Sequence, residues 1–125
     1  MLANLIIRDV VLIEHLDLEF KTGLSVLTGE TGAGKSIMLD SLGLATGARA
    51  DARLVRHGCS QASVVAVFDL PNDHAVLKVL AEQDMPLNGE PLLLRRTLGA
   101  DGRSRAFIND QPVSIGLLKT IGEAL

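Results

Sequence analysis

Apolar and polar residues alternate or recur in a regular way along this chain, and each change of period marks a new element. Leu5 to Ile13 is rich in Ile, Val and Leu and reads as a strand. Leu16, Leu18 and Phe20 then alternate with Asp17 and Glu19, the pattern of a strand with one wet face. Lys21-Thr22-Gly23 turns the chain into Leu24-Ser25-Val26-Leu27-Thr28, a short buried strand. The period then becomes helical: Ile37, Met38, Leu42 and Ala45 share a face, and Gly47 supplies a C-terminal stop. Gly47 to Gln61 reads mostly as loop, and Ser63 to Leu70 as a strand. Pro71-Asn72-Asp73 ends that strand and caps a helix whose inner face is Val76, Val79 and Leu80, broken at Met85-Pro86. Leu92 to Leu98 and Ser104 to Asn109 flank Gly99-Ala100-Asp101-Gly102 as a β-hairpin. Asn109-Asp110-Gln111-Pro112 turns again, and Ser114 caps a last helix with Leu118, Ile121 and Leu125 on one face. That helix meets no stop signal, so the C-terminus reads as cut rather than finished.

Composition narrows the class. The chain has 125 residues, enough for one domain, with 47% hydrophobic and 22% charged residues. No apolar run approaches the ~20 residues of a membrane span, and the first residues lack the layout of a signal peptide. Cys59 is the only cysteine, which rules out an internal disulfide and fits a reducing cytoplasm. Twelve basic residues stand against fifteen acidic ones, for a net charge of −3. Coating nucleic acid is therefore not the main task of this chain, although a local basic patch remains open. Three Phe with no Trp or Tyr supply no evident base-stacking platform.

Between the expected buried strand and the expected helix stands Gly29-Glu30-Thr31-Gly32-Ala33-Gly34-Lys35-Ser36, a complete phosphate-binding loop. Gly29, Gly32 and Gly34 let the backbone fold into a concave turn whose N–H groups converge, where side chains would clash. Lys35 offers a compact positive charge to the β- and γ-phosphates, and the Ser36 hydroxyl is placed to ligate Mg²⁺. A helix starting near Gly34 adds its positive dipole end. Glu30, Thr31 and Ala33 fill the variable part, and a carboxylate at Glu30 has to point away from the phosphates.

The opening Leu5-Ile6-Ile7-Arg8-Asp9, the strand pair ending in Phe20, and Gly23 through Ser36 resemble the start of the RecN family of bacterial DNA repair proteins. Val55-Arg56-His57-Gly58 and Arg105-Ala106-Phe107-Ile108-Asn109 resemble it too, in the same order. That family belongs to the SMC-like branch of the ABC ATPases. The resemblance implies a globular head built from the two ends of a long polypeptide separated by an antiparallel coiled coil. It implies two heads that dimerise with ATP between them, and a role in double-strand break repair and recombination in the bacterial cytoplasm, at the nucleoid. The partners so implied are a second copy of the head, a C-terminal lobe and DNA. No glutamine loop, signature motif or apolar strand ending in Asp-Glu is found in these residues, so hydrolysis by the chain alone is not expected.

The fold class expected is α/β: a P-loop NTPase of the ABC/SMC head type, its N-terminal lobe, with an antiparallel β-subdomain beside an incomplete parallel core. Residues 1–125 form that lobe, and ATP with Mg²⁺ is the ligand. Arg95, Arg96, Arg103 and Arg105 gather on the hairpin, either as a patch facing DNA phosphates or as charge that keeps an edge soluble. Arg8 and the segment Arg53 to Gly58 flank the loop and either approach the adenine, the ribose or the partner head or are solvated; His57 is an ordinary loop histidine or a base contact. Asp40 and Ser41 lie about one turn past Ser36, with Asp40 read as facing solvent. A competing reading is a stand-alone nucleotide-binding or interaction module that never hydrolyses. A P-loop kinase or GTPase is disfavoured because no acceptor motif and no Asn-Lys-x-Asp base reader is present.

Overall fold

One residue in two along most of the strands is buried, and this alternation builds a six-stranded antiparallel sheet with one dry face. The computed structural model describes residues 2–11, 13–19, 32–49, 51–71, 73–87 and 89–125, with backbone only for 32–38. The elements are β1 (Leu2–Val10), β2 (Ile13–Glu19), α1 (Gly32–Ala45), a 3-10 turn (Ala52–Leu54), β3 (Gln61–Phe68), α2 (Ala75–Glu82), β4 (Leu92–Gly99), β5 (Ser104–Ile108), β6 (Gln111–Val113) and α3 (Ile115–Ala124). In the sheet they run β2-β1-β3-β4-β5-β6, every neighbour antiparallel. The expected strand 24–28, the turn at Lys21-Thr22-Gly23 and Phe20 lie outside the described residues, so the parallel core expected there is not part of this description.

The dry face carries Leu5 and Ile7 of β1, Ala62, Val64, Ala66 and Phe68 of β3, Leu92, Leu94 and Leu98 of β4, and Ala106 and Ile108 of β5. Helix α1 lies across β1, β3 and β4 on this face, α3 lies against β5, and α2 against α3. Val76 and Leu80 of α2 and Leu118 and Ile121 of α3 close the core. Each such aliphatic side chain contributes roughly 1.5–3 kcal/mol by leaving water, and this burial fixes the register of every strand. The opposite face is mixed. Asp17, Ile6, Val65, Arg95, Phe107 and Pro112 form one row across all six strands, and no described helix covers it.

Several boundaries differ from the sequence expectation. The first strand starts earlier, at Leu2, and ends at Val10 rather than running on to Ile13; Asp9 and Val11 have φ of 54° and 52°. His74, just after the expected Pro71-Asn72-Asp73, is the N-cap of α2: its Nδ1 accepts from the Val76 N–H at 3.1 Å, so a ring nitrogen does what an Asp carboxylate usually does. Gln111 and Pro112 are not turn but edge strand. The turn is confined to Asn109-Asp110, both at positive φ, and the missing N–H of Pro112 suits an edge. The Ser114 cap holds as expected, its Oγ accepting from Leu117 N–H at 3.0 Å.

Candidate nucleotide-binding site

The phosphate-loop sequence runs directly into α1, which begins at Gly32, two residues ahead of Gly34. The backbone of Gly32, Ala33, Gly34, Lys35 and Ser36 therefore forms the first turns of that helix. Gly29, Glu30 and Thr31 lie outside the described residues, as do the side chains of Lys35 and Ser36. The first four N–H groups of a helix have no intrahelical acceptor and carry its positive dipole end. The first turn of α1 holds no acidic residue that would repel an anion. By residue type the donor set (backbone N–H groups, the Lys35 ammonium and the Ser36 hydroxyl) fits a triphosphate and its Mg²⁺.

The other end of α1 is held in three ways. Gly47 N–H bonds to Leu44 O at 3.2 Å and Ala48 N–H to Gly43 O at 2.9 Å, the paired bonds of a Schellman motif, with Gly47 at φ 98°. Thr46 Oγ1 donates to Leu42 O at 3.0 Å. From β4, Arg96 Nη1 donates to Leu44 O at 3.0 Å and to Ala48 O at 2.9 Å, while Arg96 Nε donates to Ser104 Oγ at 2.6 Å. Burial lowers the pKa of this guanidinium, yet an arginine stays charged.

That geometry corrects one expectation. Arg96 is 3% exposed and turned into the core, so it cannot belong to a DNA-facing patch. Its parity explains this, since Leu92, Leu94 and Leu98 occupy the same face of β4. Arg95 and Arg105 are on the opposite face. Arg95 lies 4.2 Å from the Phe107 ring centroid and 3.9 Å from Asp110, and Arg105 is exposed in register with Thr97. Arg103 sits at the hairpin turn, 3.6 Å from Asp101, in an exposed ion pair of small energetic weight.

The segment after α1 is stitched to the β1–β2 turn. Val11 N–H bonds to Leu54 O at 2.8 Å and Arg56 N–H to Asp9 O at 2.7 Å. Asp51 caps the 3-10 turn and accepts from the Arg53 guanidinium at 2.7 Å, which holds its carboxyl down at about 2. Arg56 Nη1 lies 4.0 Å from Cys59 Sγ, and His57 is exposed beside Gly58, which has φ 86°. Arg8 is exposed on the sheet face opposite α1, in register with His15 and Ser63. Asp40 is exposed as expected, whereas Ser41 is fully buried with its Oγ unpartnered among the described residues. No cluster of three His, Cys, Asp or Glu is found among the described residues.

Sequence reasoning missed Arg96 as a support of α1. The signal was available in the strand alternation, which places position 96 with three leucines.

A family model described as an AAA domain matches residues 4–72, more than half of the chain. Over 125 residues the chain is 45% identical to the DNA repair protein RecN of Vibrio cholerae and 42% identical to RecN of Bacillus subtilis. Each match takes in 100% of this chain and 22% of the relative, so the chain spans about a fifth of the length of the proteins it matches. Among solved structures, an SMC ATPase studied for ATP-driven dimerization superposes with a TM-score of 0.76 at 20% identity, covering 98% of this chain and 78% of that one. The SMC head domain from Thermotoga maritima gives 0.71 at 19% identity, over 95% of this chain and 41% of that one. The recombination mediator RecF with ATP gives 0.68 at 15%, over 100% and 30%. The fold is that of the N-terminal lobe of an ABC/SMC-type ATPase, its described part being the antiparallel subdomain and the loop helix. The chain belongs to the AAA-domain family and is RecN-like along its whole length.

Proposed function

We propose that residues 1–125 are the ATP-binding N-terminal lobe of a RecN-like, SMC-type ATPase that acts in DNA double-strand break repair and recombination in the bacterial cytoplasm. The observation that carries this reading is the run Gly29 to Ser36 entering α1 at Gly32, so that loop sequence and helix N-terminus coincide. In this reading the N–H groups of Gly29 to Gly34 and the start of α1 cradle the β- and γ-phosphates. Lys35 neutralises them, and Ser36 holds Mg²⁺, which adds charge neutralisation when bound. Glu30, Thr31 and Ala33 contribute backbone rather than side chains.

Binding of the phosphates is the whole of what this lobe supplies. Water activation and the γ-phosphate contacts that complete the site come from a Walker B strand and a signature motif, for which these residues contain no candidate. We assign those parts to a C-terminal lobe and to a second copy of the head, with ATP between the two. Support for a larger whole comes from the length of the relatives. DNA is the second partner in this reading, with Arg95, Arg103 and Arg105 as the basic side chains left on the open face and hairpin end.

The division of labour is testable by ATP turnover. The 125-residue chain alone is expected to show no hydrolysis above background, and the intact protein a DNA-responsive rate that Lys35→Ala abolishes. Turnover by the isolated chain at an ordinary enzymatic rate of about 1 s⁻¹ or more, lost in Lys35→Ala, would show that the site is already complete.

A further inference from the structure

Arg96 is anomalous in its surroundings. Among the described residues only it and Ser41 are buried and polar, and Leu94 and Leu98 on either side of it are aliphatic. Among the described residues no ion pair to a carboxylate holds it; its hydrogen bonds there go to Leu44 O, Ala48 O and Ser104 Oγ. Burying an unpaired cation is costly, and an apolar side chain of similar volume would fill the same space more cheaply. The charge therefore has a use other than filling the core.

Its bonds show what that use is. Leu44 presents one of the last carbonyls of α1, where the helix concentrates partial negative charge, Ala48 lies three residues past the helix end, and the last turn of α1 contains no basic residue of its own. A cation at that end is supplied from a strand 52 residues away in sequence, and it is braced from behind by Ser104 on the neighbouring strand. A 14-residue helix is about 21 Å long, too far for the guanidinium to act on a bound phosphate directly. A rod pinned at one end, however, aims its other end. The same end is wedged against α3, because a Cβ on Gly47 would meet the Lys119 backbone and a Cβ on Gly122 would meet the Thr46 carbonyl.

We propose that Arg96 is a positioning residue for the nucleotide site: the β4–β5 hairpin, through this guanidinium, sets the seat of α1 and so the placement of Gly32 to Ser36 at its opposite end. The proposal rests on the phosphate-loop reading above. It makes the hairpin a working part of the site, joined by this guanidinium to the far end of α1.

The test is Mg²⁺–ATP affinity of the intact protein by titration calorimetry, with the melting temperature of each variant measured alongside. Arg96→Met keeps the volume and removes the fork and the charge. It is expected to stay folded and to lose about tenfold in affinity, on the scale by which small misplacements act at a distance. Arg96→Lys, which restores the charge without the fork, is expected to regain part of that loss. A folded Arg96→Met that binds as the wild type does would overturn the proposal while leaving the loop assignment intact, as would affinities that follow melting temperature and ignore charge. Should Arg96→Met not fold, Ser104→Ala carries the test, since it removes the brace and keeps the charge. A loss of about threefold, a fraction of one charge-assisted bond, supports the proposal and an unchanged affinity overturns it. A wild type that binds no Mg²⁺–ATP at all sinks the loop assignment itself, and the proposal with it.

Discussion

Gly47→Ala is expected to destabilise the fold by about 3 kcal/mol or more, because two independent penalties fall on one methyl group. Gly47 has φ 98°, a conformation that an L side chain enters only at a cost. The added Cβ would also meet the Lys119 backbone, and backbone cannot rotate away as a side-chain tip can. Relief requires α1 and α3 to separate, which opens the core around Leu118 and Ile121. With a urea m-value of about 1.5 kcal/mol/M, the midpoint is expected to fall by about 2 M at unchanged slope. Gly58→Ala is the control. Gly58 has φ 86° but nothing within 4 Å of the added Cβ, so only the backbone penalty of about 1 kcal/mol applies. Equal losses for the two variants would show that the α1–α3 contact at Gly47 carries no weight.

Lys35→Ala is expected to weaken Mg²⁺–ATP binding about 100-fold, close to 3 kcal/mol, the usual cost of removing one partner from a desolvated charge pair. The variant should fold at least as well as the wild type. Lys35 lies in the first turns of α1, where a cation opposes the helix dipole, so for the empty protein the lysine is a liability. Only an anion at that end makes it useful. A melting temperature in the absence of nucleotide that is equal or higher, with affinity lost, separates a ligand-binding lysine from a structural one. Unchanged affinity by calorimetry would remove Lys35 from the site.

The fold was legible wherever burial and period agree. The apolar run Ser63 to Leu70 reads as a strand from its letters and is strand over Gln61–Phe68 with alternate residues buried, and the Ser114 cap and the Gly47 stop announce themselves by residue type. Legibility failed where a residue does an unusual job. His74 caps a helix with a ring nitrogen, and Gln111–Val113 is strand despite its proline. Arg96 is the instructive case. Its charge suggests the surface, while its parity with Leu92, Leu94 and Leu98 demands the core, and parity won because flipping one residue would flip the strand. The carbonyls that accept its bonds lie in the last turn of α1 and just beyond it, 52 and 48 residues away, and no local pattern announces them. At the site itself, the letters carry the loop, and the structure adds the helix start at Gly32 and the three restraints on the far end of α1.

Amide hydrogen exchange of the intact protein, with and without Mg²⁺–ATP, tests the central claim most directly, since it locates the ligand without altering a residue. If the loop is the phosphate site, nucleotide slows exchange most strongly at the amides of Gly29 to Ser36, whose N–H groups then point at phosphate oxygens. Protection centred elsewhere in the chain, with the amides of residues 29–36 exchanging as they do in the empty protein, would contradict the account.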